Sequence, residues 1–152
     1  GHITVTTKQL KNRGFTLVEL LIVIVIIAIL TVISLIAYNG IQNQARTSTS
    51  QAVVKSIADK AQIYNTEESH FPASIADMTG AAQTKSYHID SSAVVAGGSA
   101  APTTGPTGAD GPKTVAYKAC GPAGKETGAR IWGWNYSDNT FILREVGVTS
   151  GC

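Results

Sequence analysis

The chain has 152 residues, 43% of them hydrophobic and only 14% charged, with a formal net charge of +2. That length allows one domain plus an extension, and so small a charge does not point to nucleic acid or an anionic surface. Lys8, Lys11 and Arg13 sit in the first 14 residues; from residue 15 on, nine Lys/Arg face ten Asp/Glu, a net charge of −1.

After the basic start, every residue from Leu20 to Leu30 is apolar, and only Glu19, Thr31 and Ser34 interrupt the wider run Leu17–Ala37. About 20 apolar residues cross a bilayer as a helix. The preceding positive charges place that end in the cytoplasm and everything after Ala37 outside. A cleaved secretory signal would have a shorter apolar core followed by a small-residue cleavage site, whereas Tyr38-Asn39-Gly40 follows here. A plain signal anchor fits the length and the charges. Neither accounts for Glu19, because a carboxylate near the start of a membrane helix is costly and by default functional. Its plain reading is a helix-start carboxylate that favours the dipole, and one carboxylate can serve both ends.

The run Arg13-Gly14-Phe15-Thr16-Leu17-Val18-Glu19-Leu20-Leu21 resembles the leader junction of type IV prepilins and pseudopilins, the class III leader. The resemblance is strong over 11–37 and weaker over the helix that follows. It implies that residues 1–14 are a leader, cut after Gly14 by a membrane prepilin peptidase. Phe15 then becomes the new, N-methylated N-terminus, and Glu19 serves assembly. It implies partners as well: other pilin subunits, the peptidase, an assembly platform with its ATPase, and the membrane before assembly. A ligand such as DNA or a surface has no support in the residues. The helix-bending proline that many members carry is missing, since no Pro occurs between Phe15 and Pro72; Gly40 is the helix-weakening substitute. Gly1-His2-Ile3 lacks an initiator Met, reads as a remnant and is set aside.

Past Gly40, Ile41, Ala45, Ala52, Val53, Ile57, Ala61 and Tyr64 recur at helical spacing among polar residues, which predicts an amphipathic continuation. One helix from Phe15 to about Asn65, about 75 Å long at 1.5 Å per residue, is expected to end near residues 66–69. The turn His70-Phe71-Pro72 resembles the one that follows the long helix in many pilins. Residues 79–112, with the Gly-Pro triplets around Gly105 and Gly111, read as a flexible exposed loop. Strands are expected over 114–119, 129–136 and 140–146, three or four in all, with Ser137-Asp138-Asn139 as the final hairpin turn. The fold class is therefore α+β: a long N-terminal helix, half membrane and half amphipathic, packed on a small antiparallel sheet. Residues 15–40 form the transmembrane and polymerisation helix and 41–152 the extracytoplasmic head.

Cys120 and Cys152 allow one intramolecular pairing, which needs an oxidising compartment, and the outward orientation supplies one. The bridge ties the C-terminal tail to the first strand. His2, His70 and His88 form no ligand-spaced pair. No phosphate loop, nucleophile elbow or triad occurs, so neither catalysis nor a cofactor nor a metal is expected. Trp132, Trp134 and Tyr136 alternate and share one face, as core or as an exposed aromatic stripe. Asn135-Tyr136-Ser137 fits a glycosylation sequon. The expected role is a structural subunit of a type IV pilus-like filament for adhesion, motility or DNA uptake, resident in the cell membrane and then in a surface pilus. A pseudopilin of a type II secretion or competence system is the alternative, and an anchored, non-polymerising adhesin or sensor lies outside the family.

The junction predicts a mass. Intact-mass analysis of the membrane-extracted protein should show a chain that begins at Phe15 and carries one methyl group. A stable product retaining Lys8–Gly14 in peptidase-proficient cells would contradict the leader reading.

Overall fold

A computed structural model describes the backbone of residues 2–152 and the side chains of residues 16–152. The elements in order are helix α1 (His2–Glu68), the short helix α2 (Ala76–Thr79), strand β1 (Val95–Ala96), a 3-10 turn (Gly111–Lys113) and strands β2 (Thr114–Cys120), β3 (Gly128–Asn135) and β4 (Thr140–Gly147). Two compact units result, Gly1–Ile41 and Gln42–Cys152. The α+β class is as expected, a long N-terminal helix against a small sheet.

Helix α1 meets no proline, and it stays helical at Gly40. It stops where Ser69 turns into the left-handed region at φ 70° and its N–H bonds Asn65 O at 2.9 Å, a terminus that satisfies one of the last free carbonyls. Pro72 then forbids renewed helix.

The sheet runs β1-β2-β3-β4. Strands β2, β3 and β4 are antiparallel neighbours, but β1 lies parallel to β2, with Val95 opposite Thr114. The sheet is thus mixed, where a purely antiparallel one was expected. A two-residue strand in a Gly/Ser/Ala stretch is too short for any alternation to show.

In the Gln42–Cys152 unit, α1 lays Val54, Ile57, Ala58 and Ala61 on the inner face of the sheet, where Val115, Tyr117, Ala129, Ile131 and Val146 meet them. Phe71, Ile75, Met78, Ile89 and Val94 from the intervening segments close the cluster. The buried seam is rotated from the expected stripe. Ala45 and Ala52 are exposed, whereas Thr47 and Ser50 are buried. A search for apolar periodicity passes over hydroxyls, yet hydroxyls are what the sheet needs here. Strand β2 pairs with β3 only as far as Ala116 and Trp132. Beyond that point the N–H of Trp134 donates to Ser50 Oγ and the N–H of Tyr136 to Thr47 Oγ1, both at 2.9 Å. Gly133 lies between them, and a Cβ there would come within 2.8 Å of Val54 Cγ2 and closer still to Ser50 Oγ.

Trp132 and Trp134 point to the opposite face, yet each is only 6% exposed. Residues of the Gly/Pro-rich segment lie against Trp134 and Tyr136. Gly105 sits against the Trp134 indole, with room for no Cβ. Tyr136 Oη donates to Pro106 O at 2.7 Å, and an Arg46 N–H donates to Gly108 O at 3.1 Å. Gly111 and Pro112 are buried. The Gly/Pro-rich segment is the loop expected, with most of its residues exposed, but it is held against the sheet at Trp134, Tyr136 and Arg46. The glycines permit close approach to aromatic rings, so the segment forms a second, thinner apolar layer.

Gly133→Val should drive a branched side chain into Ser50 and Val54, and overpacking of this kind costs about 1–3 kcal/mol. Urea unfolding of the Gln42–Cys152 unit expressed alone should show a lower midpoint at unchanged m-value.

Candidate functional site

The apolar segment has no core within its own chain. Every side chain from Thr16 to Ile41 is exposed, with large apolar groups around the whole circumference, such as Leu17 at 63%, Ile26 at 49% and Ile36 at 71%. A helix that is apolar on all sides is stable only inside a bilayer or among other chains. Among the described residues this is one helix long and apolar enough to cross a membrane. Glu19 lies exposed in its first described turn. Gly14 and Phe15, the residues of the leader junction, fall outside the described side chains.

At the far end of α1 the head is tied together by groups that sequence reasoning only half found. The sulfurs of Cys120 and Cys152 stand at disulfide distance, with their Cα atoms 4.5 Å apart, so the C-terminus is held against the end of β2. The turn that follows β2 uses positive φ at Gly121 and Gly124 and delivers Glu126, whose exposure is 5%. Its backbone carbonyl accepts from Phe71 N–H at 3.0 Å. Its Oε1 accepts from Gly124 N–H at 2.7 Å, and its Oε2 stands 2.8 Å from His70 Nδ1. Burial alone would push this carboxyl up. The backbone N–H groups of Glu126 itself and Gly124, and then His70, outweigh it, and the carboxyl falls below its ordinary range. Glu126 carries no spacing signal in the sequence; its setting between two glycines and two strands is the only trace.

Beside this clasp, Tyr87 Oη donates to Glu68 at 2.8 Å, and that bond, with burial, pushes Tyr87 up to about 12. His88 contacts Ala81 O at 2.9 Å through Nδ1, and His70 contacts Phe71 O and Glu126. Among the described residues no group of three His, Cys, Asp or Glu is placed to hold a metal. Asn135 Oδ1, in the sequon, accepts from the backbone N–H of Ser137 and Asp138 at 2.9 and 3.0 Å, an Asx-type turn that shapes the hairpin.

Residues 9–35 match the family model described as the prokaryotic N-terminal methylation motif. That motif is the class III leader of type IV pilins and pseudopilins, a structural family; it supports a protein of that type, and together with the apolar helix it fits membrane anchoring. No curated protein and no solved structure matches the chain.

The Glu126 clasp sets a pH dependence. A carboxyl with a lowered folded pKa stabilises the fold above its unfolded pKa, and that contribution is lost as pH falls through the folded value. In the unit Gln42–Cys152, Glu126→Gln should unfold at lower urea than the unsubstituted chain at pH 7. The gap should narrow steadily below about pH 4.5, the ordinary value from which this carboxyl is lowered. A gap that is the same at every pH would contradict the assignment.

Proposed function

We propose that this chain is a subunit of a type IV pilus-like filament, cut after Gly14, methylated on Phe15, and assembled through the helix 15–40 while the unit beyond it forms the exported head. The carrying observation is the leader junction with its match over residues 9–35. The all-round exposure of the apolar segment supports it, because such a helix needs lipid or other chains around it. The Cys120–Cys152 pairing suits an oxidising exterior. Trp132 and Trp134 are buried, so the aromatic strip supports no sugar or DNA contact.

The mechanism is assembly, and Glu19 gives it register. Apolar packing between helices is non-directional. A carboxylate moved from the membrane surface into a bundle of apolar helices needs a partner, since an unpaired buried charge is strongly unfavourable. Cleavage creates one, the amine of Phe15. Within one chain, residue 15 is about one helical turn from residue 19. A neighbour's amine reaching the same carboxylate would fix the axial stagger between subunits.

Glu19→Ala or Glu19→Gln should leave protein level, membrane insertion and cleavage intact, yet abolish or disorder surface filaments where it is the only subunit form. Glu19→Asp, with a shorter arm, should be intermediate. Electron microscopy with immunoblotting reads the outcome, and normal filaments from Glu19→Ala would sink the pairing.

A further inference from the structure

The sheet order ends on β4, which has β3 on one side and no strand on the other. Backbone groups of an antiparallel strand point alternately to its two sides. Val148 N–H donates to Thr127 O on the β3 side at 2.9 Å, and Trp134 N–H leaves β3 on the side away from β4, to Ser50 Oγ. With Phe141 opposite Trp134 and Val146 opposite Ala129, the N–H and C=O groups of Phe141, Leu143 and Glu145 must point away from β3, where no strand meets them.

Native sheets blunt such an edge with a very short strand, a lysine, a proline or a bulge. The opposite edge is blunted, because β1 has two residues and runs into Gly97-Gly98. Strand β4 has eight residues, and its first half, Thr140-Phe141-Ile142-Leu143, carries neither charge nor proline. Phe141 and Leu143 flank the edge on the outer face, 48% and 44% exposed. On the inner face the edge borders a groove of about 400 Å³ between β4 and α1, where Gln51, Ala52, Val54 and Lys55 face Ile142 and Arg144. The charges nearby are unequally answered. Glu145 pairs with Arg130 at 3.2 Å and Asp59 with Lys55 at 3.4 Å, but among the described residues Arg144 has no carboxylate partner.

We propose that the free edge of β4 receives an extended segment of another protein, laid antiparallel, with an apolar residue in the groove opposite Ile142 and an acidic residue opposite Arg144. Backbone bonds to Phe141, Leu143 and Glu145 hold such a segment, and its alternate side chains select it. A second copy of the chain is the poorer occupant. Head-to-tail pairing of copies needs two open edges, and β1 is too short to serve. Two-fold pairing of β4 with β4 cannot set Arg144 against Glu145, because sequence neighbours lie on opposite faces of a strand. The site belongs to the Gln42–Cys152 unit and does not rest on the filament-subunit reading.

The test uses the full chain in dodecylmaltoside micelles and a fluorescein-labelled peptide, Lys-Glu-Val-Val-Tyr-Thr, whose Glu falls opposite Arg144 and whose second Val falls opposite Ile142. Fluorescence anisotropy should show binding. Exchanging Glu with the Val that follows it, which moves the acid to the outer face, should weaken binding at least about tenfold, as should N-methylation of the Val opposite Leu143. Leu143→Pro removes one outward N–H at an edge position where proline is tolerated and should weaken binding as much, at an unchanged circular dichroism spectrum. Arg144→Glu should weaken binding too, and a peptide with Lys in place of its Glu should bind that variant more tightly than it binds the unsubstituted chain, a reversal that a damaged fold cannot produce. An original peptide that does not bind, an N-methylated peptide that binds as well, or a charge exchange that restores nothing would each overturn the assignment. So would a dimer of the chain that Leu143→Pro dissociates, since the occupant would then be a second copy.

Discussion

Strand β3 loses its neighbour β2 beyond Trp132, and α1 takes the place of the missing strand. Two hydroxyls one turn apart, Thr47 and Ser50, accept the N–H groups of Tyr136 and Trp134. Buried backbone donors must be satisfied, and a hydroxyl reaches them only if the helix comes close. Gly133 permits that approach by presenting no Cβ to Ser50 and Val54. Helix height, rotation and axial position on the sheet are thereby fixed by directional bonds, where apolar packing alone would tolerate small shifts. Thr47 also donates to Asn43 O within its own helix at 2.8 Å, so its hydroxyl is used as both donor and acceptor.

That close approach has a consequence on the other side of the sheet. With Ile131 and Gly133 turned to α1, the alternation of β3 sends Trp132 and Trp134 to the opposite face. Two indoles left in water would be an exposed apolar patch of the kind soluble heads avoid. The Gly/Pro-rich segment lies against Trp134, pinned by Tyr136, by the Arg46 guanidinium 4.5 Å above the Tyr136 ring, and by Gly97 N–H on Val115 O at 2.8 Å. Glycine is needed at 105, where the Trp134 indole lies in the place of a Cβ, and at 111, where the Pro106 carbonyl does. One segment thus serves both as connection and as part of a second apolar layer.

The contrast between these layers explains what the sequence disclosed. The apolar run, its basic approach, the end of α1 at a residue before Pro72, and the β3–β4 hairpin around Ser137-Asp138-Asn139 are all local signals, and each was legible. The seam of α1 was legible in part. Ile57 and Ala61 fit the apolar period, but Thr47 and Ser50 are buried for their hydrogen bonds and not for their hydrophobicity. The Gly/Pro segment was legible as a loop, but not what holds it, because its anchors are distant aromatic residues and a helix arginine. Glu126 and β1 were illegible for the same reason, since their partners, His70, Phe71 and Thr114, are brought to them only by the fold. The junction residues Gly14 and Phe15 stand at the opposite limit: their meaning lies in the pattern and not in any described contact.

The two halves of α1 solve different problems with the same residue vocabulary. Before Ile41 the apolar groups cover all sides, and specificity can come only from the few polar positions. After Gln42 the apolar groups narrow to one seam, and specificity again comes from hydroxyls, now answered by β3. At the end of the helix, Glu126 holds Phe71 through its carbonyl, and Phe71 in turn packs where a Cβ on Gly147 would sit, so the last strand is clasped to the residue that follows α1. A head bound at both ends of its helical seam cannot slide along it. If neighbouring chains grip the first half of the helix, the hydroxyl bonds of Ser50 and Thr47 then decide where on the second half each head sits, and an error of one helical turn in that seam would displace the head by about 5.4 Å.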